Sequence, residues 1–167
     1  MPTPWKPAVR GQLGAAIDML ENAIRACPDA LWSEGSVPVA QRFWYLAFHA
    51  LFWLDYYLSR NEREFVPPAP FGLEELDPAG RYPERAYTKA ELLVYLGHGR
   101  RLGLARLDEL TEAEAGARCG FERRDLSVLE LFLYNLRHLQ HHTGQLNLLL
   151  RQRTASAPGW VGRGREG

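Results

Sequence analysis

The chain has 167 residues, enough for one domain with a core of its own. Hydrophobic residues make up 46% and charged residues 24%, a globular composition that excludes wholesale disorder. Twenty basic side chains are cancelled by twenty acidic ones, so neither nucleic acid nor an anionic membrane is an expected partner.

The two cysteines, Cys27 and Cys119, form no CxxC pair. They read as small hydrophobes, and a reducing cytoplasmic setting is expected. Met1 to Pro7 has no apolar core of signal-peptide type. The most apolar stretch, Phe43 to Leu58, carries His49 and Asp55 and is shorter than the roughly 20 residues a membrane helix needs.

Four segments show helical periodicity, and none shows sustained strand alternation. The first runs from about Val9 to Ala26, with Leu13, Ile17, Leu20 and Ile24 on one face, and stops before Pro28. The second runs from about Val39 to Arg60, with Ser36 as its N-cap and Pro38 in its first turn. Eight aromatic residues crowd it, from Phe43 to Tyr57, which marks it for the core or for a homodimer interface.

Residues 61–86 hold five prolines and two glycines, which excludes a long helix and leaves Leu73 to Leu76 as a single turn. A connection of this length often covers a site or spans the end of a bundle. The third helix opens with the capping box Thr88-Lys-Ala-Glu91 and is predicted to reach about Glu114. Gly97, Gly99 and Gly103 within it imply a bend or close packing. The fourth opens with the capping box Ser127-Val-Leu-Glu130 and runs to about Arg153. The tail from Thr154 is irregular, with Trp160 as its one aromatic anchor. Four such helices predict an all-α bundle in one domain over residues 1–167, with a long connection between helices two and three.

The chemistry lies in His138 and His142. Four residues apart on the last helix, they share a face with β-carbons about 6 Å apart, and two imidazoles so placed can converge on one cation. His141 points about 100° away. His49, among the aromatics of helix two, is the candidate third ligand, because an inward imidazole needs a partner for its ring nitrogens. The alternatives are a hydrogen-bonded core histidine at 49 and a chance i, i+4 pair at 138 and 142.

The run His138-Leu-Gln-His-His142-Thr-Gly-Gln145 resembles the fourth-helix signature of the DinB-like superfamily, four-helix bundles that include bacillithiol- and mycothiol-dependent enzymes. The position of His49 within helix two and the tail Ala157-Pro-Gly-Trp-Val161 are similar as well. The resemblance implies that His49, His138 and His142 form the metal triad, and that homodimers are common.

Gln145 shares the histidine face, where it orients a ligand or sits as a surface amide. Gly144 suggests a close helix approach. Tyr45 and Tyr134, each four residues before a histidine, are candidates to place hydroxyls near the metal, or they fill the core. Asp55 is expected to pair with an arginine or to support a ligand. His98 has no spaced companion. No carboxylate adjoins the histidines as in HExxH, so proton handling falls to tyrosine, His141 or solvent.

Three neutral imidazoles leave a divalent cation its full charge and free positions, so a bound water or thiol is acidified. Zinc or nickel suits such a site, with iron or manganese as further options. Proton competition for free imidazole begins near pH 6.5. The expected function is a metal-dependent thiol S-transferase acting on a small-molecule thiol and an electrophile, as the resemblance favours. A metal-dependent hydrolase, or a non-catalytic metal-stabilised stress-response or small-molecule binding module, is the alternative.

Overall fold

The computed structural model describes residues 5–165. Met1 to Pro4 and the last two residues of the expected irregular tail lie outside the described residues. Four long helices carry the fold: α1 (Trp5–Ala26), α3 (Phe43–Leu58), α4 (Lys89–Glu109) and α6 (Val128–Thr154). Two short ones, α2 (Asp29–Trp32) and α5 (Glu112–Gly116), sit in the connections. Helices α1 and α3 each pack on both α4 and α6, so α1 and α3 occupy opposite corners of a four-helix bundle. There is no named β-strand among the described residues, and no described helix is long and apolar enough to cross a membrane.

The aromatic helix α3 is the centre of the core. Phe43, Phe48, Phe52 and Leu54 are fully buried, as is Tyr95 of α4. Each such side chain withdrawn from water contributes roughly 1.5–3 kcal/mol, which keeps α3 inside whatever its intrinsic propensity. Six of the eight aromatic residues of that helix are buried within the chain, and Tyr45 and Trp53 are half-buried. Gly99 and Gly103 give α4 a smooth face: a β-carbon at 99 would stand 2.9 Å from Leu54 Cδ2, and one at 103 would stand 3.2 Å from Leu13 Cδ2. Close packing is thus their purpose.

Both capping boxes form as read, at Thr88/Glu91 and at Ser127/Glu130. Several boundaries differ from the sequence expectation. Ser36 does not cap: its hydroxyl donates to Glu34, and the cap position of α3 falls to Arg42 after a 3-10 turn at Val39–Gln41. The backbone is extended at Arg42 (φ −74°, ψ 142°), which separates that turn from α3. The third long helix stops at Glu109 rather than Glu114, because Thr111 and Glu114 build a further capping box that starts α5. Gly144 has open space where a β-carbon would be, so no helix approaches it closely.

The tail is anchored by backbone rather than by Trp160, which is 76% exposed. The Gly164 amide donates to the Gly11 carbonyl at 2.8 Å, and a β-carbon on Gly164 would fall 2.4 Å from the Gly14 carbonyl carbon. Arg165 then reaches Asp18 through its amide and its guanidinium. The 61–86 connection runs through a 3-10 turn at Glu74–Leu76 and folds onto the core through Phe71, whose ring stacks on Tyr95 at 4.3 Å.

Replacing Ser127 with Ala removes a side-chain cap from the helix that carries His138, and should cost about 1 kcal/mol in urea unfolding at unchanged m-value. Glu91 is held at a pKa of about 2 by Arg85 and by the Thr88 amide and hydroxyl. Its folded pKa lies below the unfolded value, so its contribution is present above about pH 4.5 and lost as pH falls toward 2. Glu91→Gln should flatten that limb of the melting-temperature profile.

Candidate metal centre

Helices α3 and α6 bring His49, His138 and His142 together. Their ring centroids lie 5.3 Å (49 to 138), 4.5 Å (49 to 142) and 4.5 Å (138 to 142) apart. One ligand atom from each lies within 4.8 Å of the other two, a set that could hold a metal ion. The register between the helices is pinned by Asn135, buried in α6, whose amide donates to the Leu54 carbonyl of α3 at 2.9 Å.

The outer nitrogens are fixed. His49 Nδ1–H donates to Glu75 Oε2 at 2.7 Å, and His142 Nδ1–H donates to Gln145 Oε1 at 2.7 Å. These bonds leave Nε2 of both rings as lone-pair donors, the arrangement that second-shell partners impose on metal-ligating histidines. Nε2 of His142 stands 3.2 Å from Nε2 of His138. Two nitrogens about 2.0–2.1 Å from one ion at a tetrahedral angle would be about 3.4 Å apart, so the residues present fit a divalent cation. Nδ1 of His138 is buried without a hydrogen-bond partner.

Burial, reinforced by the neighbouring imidazoles, lowers the pKa of His138 to about 3 and that of His142 to about 4. Both are therefore neutral and able to donate over the physiological range. Proton competition at these two rings sets in well below the pH of 6.5 expected for free imidazole.

Glu75 is the residue that the sequence did not reveal. Its side chain is only 5% exposed and also accepts the Trp53 indole N–H at 3.0 Å. Burial raises its pKa, but the hydrogen bonds it accepts from His49, Tyr45 and Trp53 outweigh that and keep it below the ordinary range. A carboxylate thus does stand beside the histidines, delivered from the long connection rather than from the His138 helix. Glu74-Glu75 between Leu73 and Leu76, an acidic pair within one apolar turn, was the available signal.

The other candidates separate. Gln145, exposed on the histidine face of α6, accepts the His142 Nδ1–H. Tyr45 lies 6.3 Å from His49 between ring centroids, and burial together with Glu75 pushes its phenol pKa up. Tyr134 packs on Tyr57 at 5.2 Å and under the Arg124 guanidinium at 5.1 Å. His141 is exposed, edge-on to His142 at 5.0 Å. Asp55 pairs with no arginine and supports no ligand of the cluster. Buried against α4, it accepts the Tyr95 hydroxyl at 3.0 Å and meets His98 at 3.2 Å, so His98 does have a companion. Burial raises the pKa of Asp55, against the opposing pull of His98 and Tyr95. Cys27 and Cys119 are free and buried.

The family model of the DinB superfamily matches residues 12–146. The chain belongs to the DinB superfamily. That span contains all three histidines of the cluster, the whole of α3 and the part of α6 that carries His138 and His142. No curated protein and no solved structure matches the chain.

Glu75→Gln keeps the shape but weakens the polarisation of His49. It should lower affinity for a divalent metal about 10- to 100-fold in a chelator-competition titration, with the fold retained by circular dichroism.

Proposed function

We propose that His49, His138 and His142 bind one divalent metal ion, zinc or nickel, and that this DinB-like protein is a metal-dependent thiol S-transferase acting on small electrophiles. The observation that carries the reading is the Nε2 pair of His138 and His142 at 3.2 Å, with the outer nitrogen of His142 and that of His49 already engaged. A divalent cation held by three neutral imidazoles keeps its charge and lowers the pKa of a thiol or a water that binds it.

The chain's own residues supply the rest. Glu75 holds the His49 ring and its tautomer, and Gln145 does the same for His142. Trp53, whose ring lies 6.1 Å from His49 and 6.4 Å from His138, walls the cluster on the side of Tyr57. In the overall reaction the thiol loses its proton to solvent. The new sulfur–carbon bond then forms as the bond from carbon to its leaving group, such as chloride, breaks. Three histidines suit an open catalytic site better than a structural one, which is normally closed by four ligands and rich in cysteine.

Purified protein should carry close to one equivalent of divalent metal by elemental analysis, lose it to a chelator and take it back. His142→Ala should lose the metal and keep most of its helicity, since apolar packing holds the bundle. A wild type that cannot be loaded ends the metal reading. An unfolded His142→Ala variant makes the ion a staple between α3 and α6. Loaded protein should consume a low-molecular-weight thiol in the presence of 1-chloro-2,4-dinitrobenzene faster than the chelated form. No difference across several thiols would remove the transferase reading and leave the hydrolase or the binding module.

A further inference from the structure

Beside the histidine cluster lies a cleft of about 610 Å³, within the roughly 300–1,000 Å³ usual for small-molecule sites. Trp53, Tyr56 and Tyr57 of α3 and Phe121 of the α5–α6 connection give it an aromatic wall. The rings are packed on one another: Trp53 stacks on Tyr57 at 5.4 Å, and Phe121 meets Tyr56 at 5.0 Å and Tyr57 at 5.8 Å. They are therefore held in place before anything binds. Trp53 and Tyr57 are also the rings nearest the histidines from this side, with Tyr57 6.3 Å from His138.

Arg123 and Arg124 both line this cleft, and Arg124 is the half-buried one. Arg124 donates to the Tyr57 hydroxyl at 3.1 Å and places its guanidinium 5.9 Å from the Tyr57 ring centre and 5.1 Å from that of Tyr134. Among the described residues it pairs with no carboxylate. Glu122 pairs with Arg63, and Glu62 accepts the Tyr56 hydroxyl and the Glu122 amide. A guanidinium clamped between two phenols, with most of its N–H groups free of carboxylate, is preorganised for a planar anion. Trp53, the half-buried ring of that wall, suits a flat apolar body beside it.

We propose that this cleft seats the electrophile of the transfer reaction, and that it selects aryl-sized molecules bearing a carboxylate, which Arg124 binds. Its role as an electrophile subsite rests on the thiol-transfer reading. Its preference for a carboxylate does not, and binding alone measures it.

The probes are 4-chloro-3-nitrobenzoate and its neutral isostere 4-chloro-3-nitrobenzamide, titrated calorimetrically into the full chain, both metal-loaded and chelated. The chelated form excludes direct capture of the carboxylate by the ion. Wild type should bind the benzoate about tenfold more tightly than the benzamide in both forms. Arg124→Gln should bring that ratio to within about twofold while leaving benzamide affinity unchanged, and Arg124→Lys should keep part of the preference, because it keeps the charge without the planar fork. Equal binding of the two probes by wild type overturns the proposal with no variant needed. So does a preference that survives Arg124→Gln. A carboxylate preference lost in Arg124→Gln without any thiol consumption keeps the subsite and removes the transferase reading. Turnover of both electrophiles at equal kcat/KM, with equal binding, keeps the transferase and removes the subsite.

Discussion

The packing of α3 against α6 is the constraint on which the rest of the molecule depends. A ligand pair on one helix is common; a third imidazole arriving at the same point requires two helices held in a fixed register. Apolar contact such as Tyr57 on Tyr134 brings the helices together, but apolar contact alone tolerates sliding. The Asn135 amide on the Leu54 carbonyl does not. A buried donor that loses its acceptor forfeits about 1–3 kcal/mol, so a displaced register is penalised directly. His138 lies one turn beyond Asn135, and the register that satisfies the amide is the one that brings His138 to His49.

The same burial sets the electrostatics. Burial and crowding keep His138 and His142 unprotonated, so that both rings offer lone pairs. Among the described residues, Glu75 supplies the only negative charge in contact with a ring of the cluster, and it does so from behind His49, through a hydrogen bond. The space on the inner side of the rings is therefore neutral in its ligands and keeps its demand for positive charge undiminished.

Elements whose signals are local were legible in the sequence. The capping boxes at Thr88 and Ser127 fixed two helix starts because the cap and its partner are three residues apart. The i, i+4 spacing put His138 and His142 on one face for the same reason. What failed depended on competition or on distance. The Thr111/Glu114 box was hidden inside a periodic run that seemed to continue past it. Arg42 is extended where nothing local demands it. Trp160 looked like an anchor by its size, while the tail is held by Gly164, whose use is the absence of a side chain. Asp55 finds Tyr95 and His98 40 and 43 residues away, and Glu75 finds His49 26 residues back; both pairings depend on where a neighbouring chain segment folds.

The placement of charge around the cluster gives the site a direction. On the side of His49 a buried carboxylate is bound by imidazole and indole, and on the side of Tyr57 an arginine is held against two phenols. Trp53 stands between them, hydrogen-bonded to Glu75 and stacked on Tyr57. An anionic ligand entering this region meets repulsion at one end and attraction at the other, and the attraction lies beyond the aromatic wall rather than at the rings themselves. On the proposed reading, the reacting end of such a ligand would face the histidines while its charge is neutralised at a distance. In the proposed transfer, that separation would hold the anionic end of the electrophile away from the histidines.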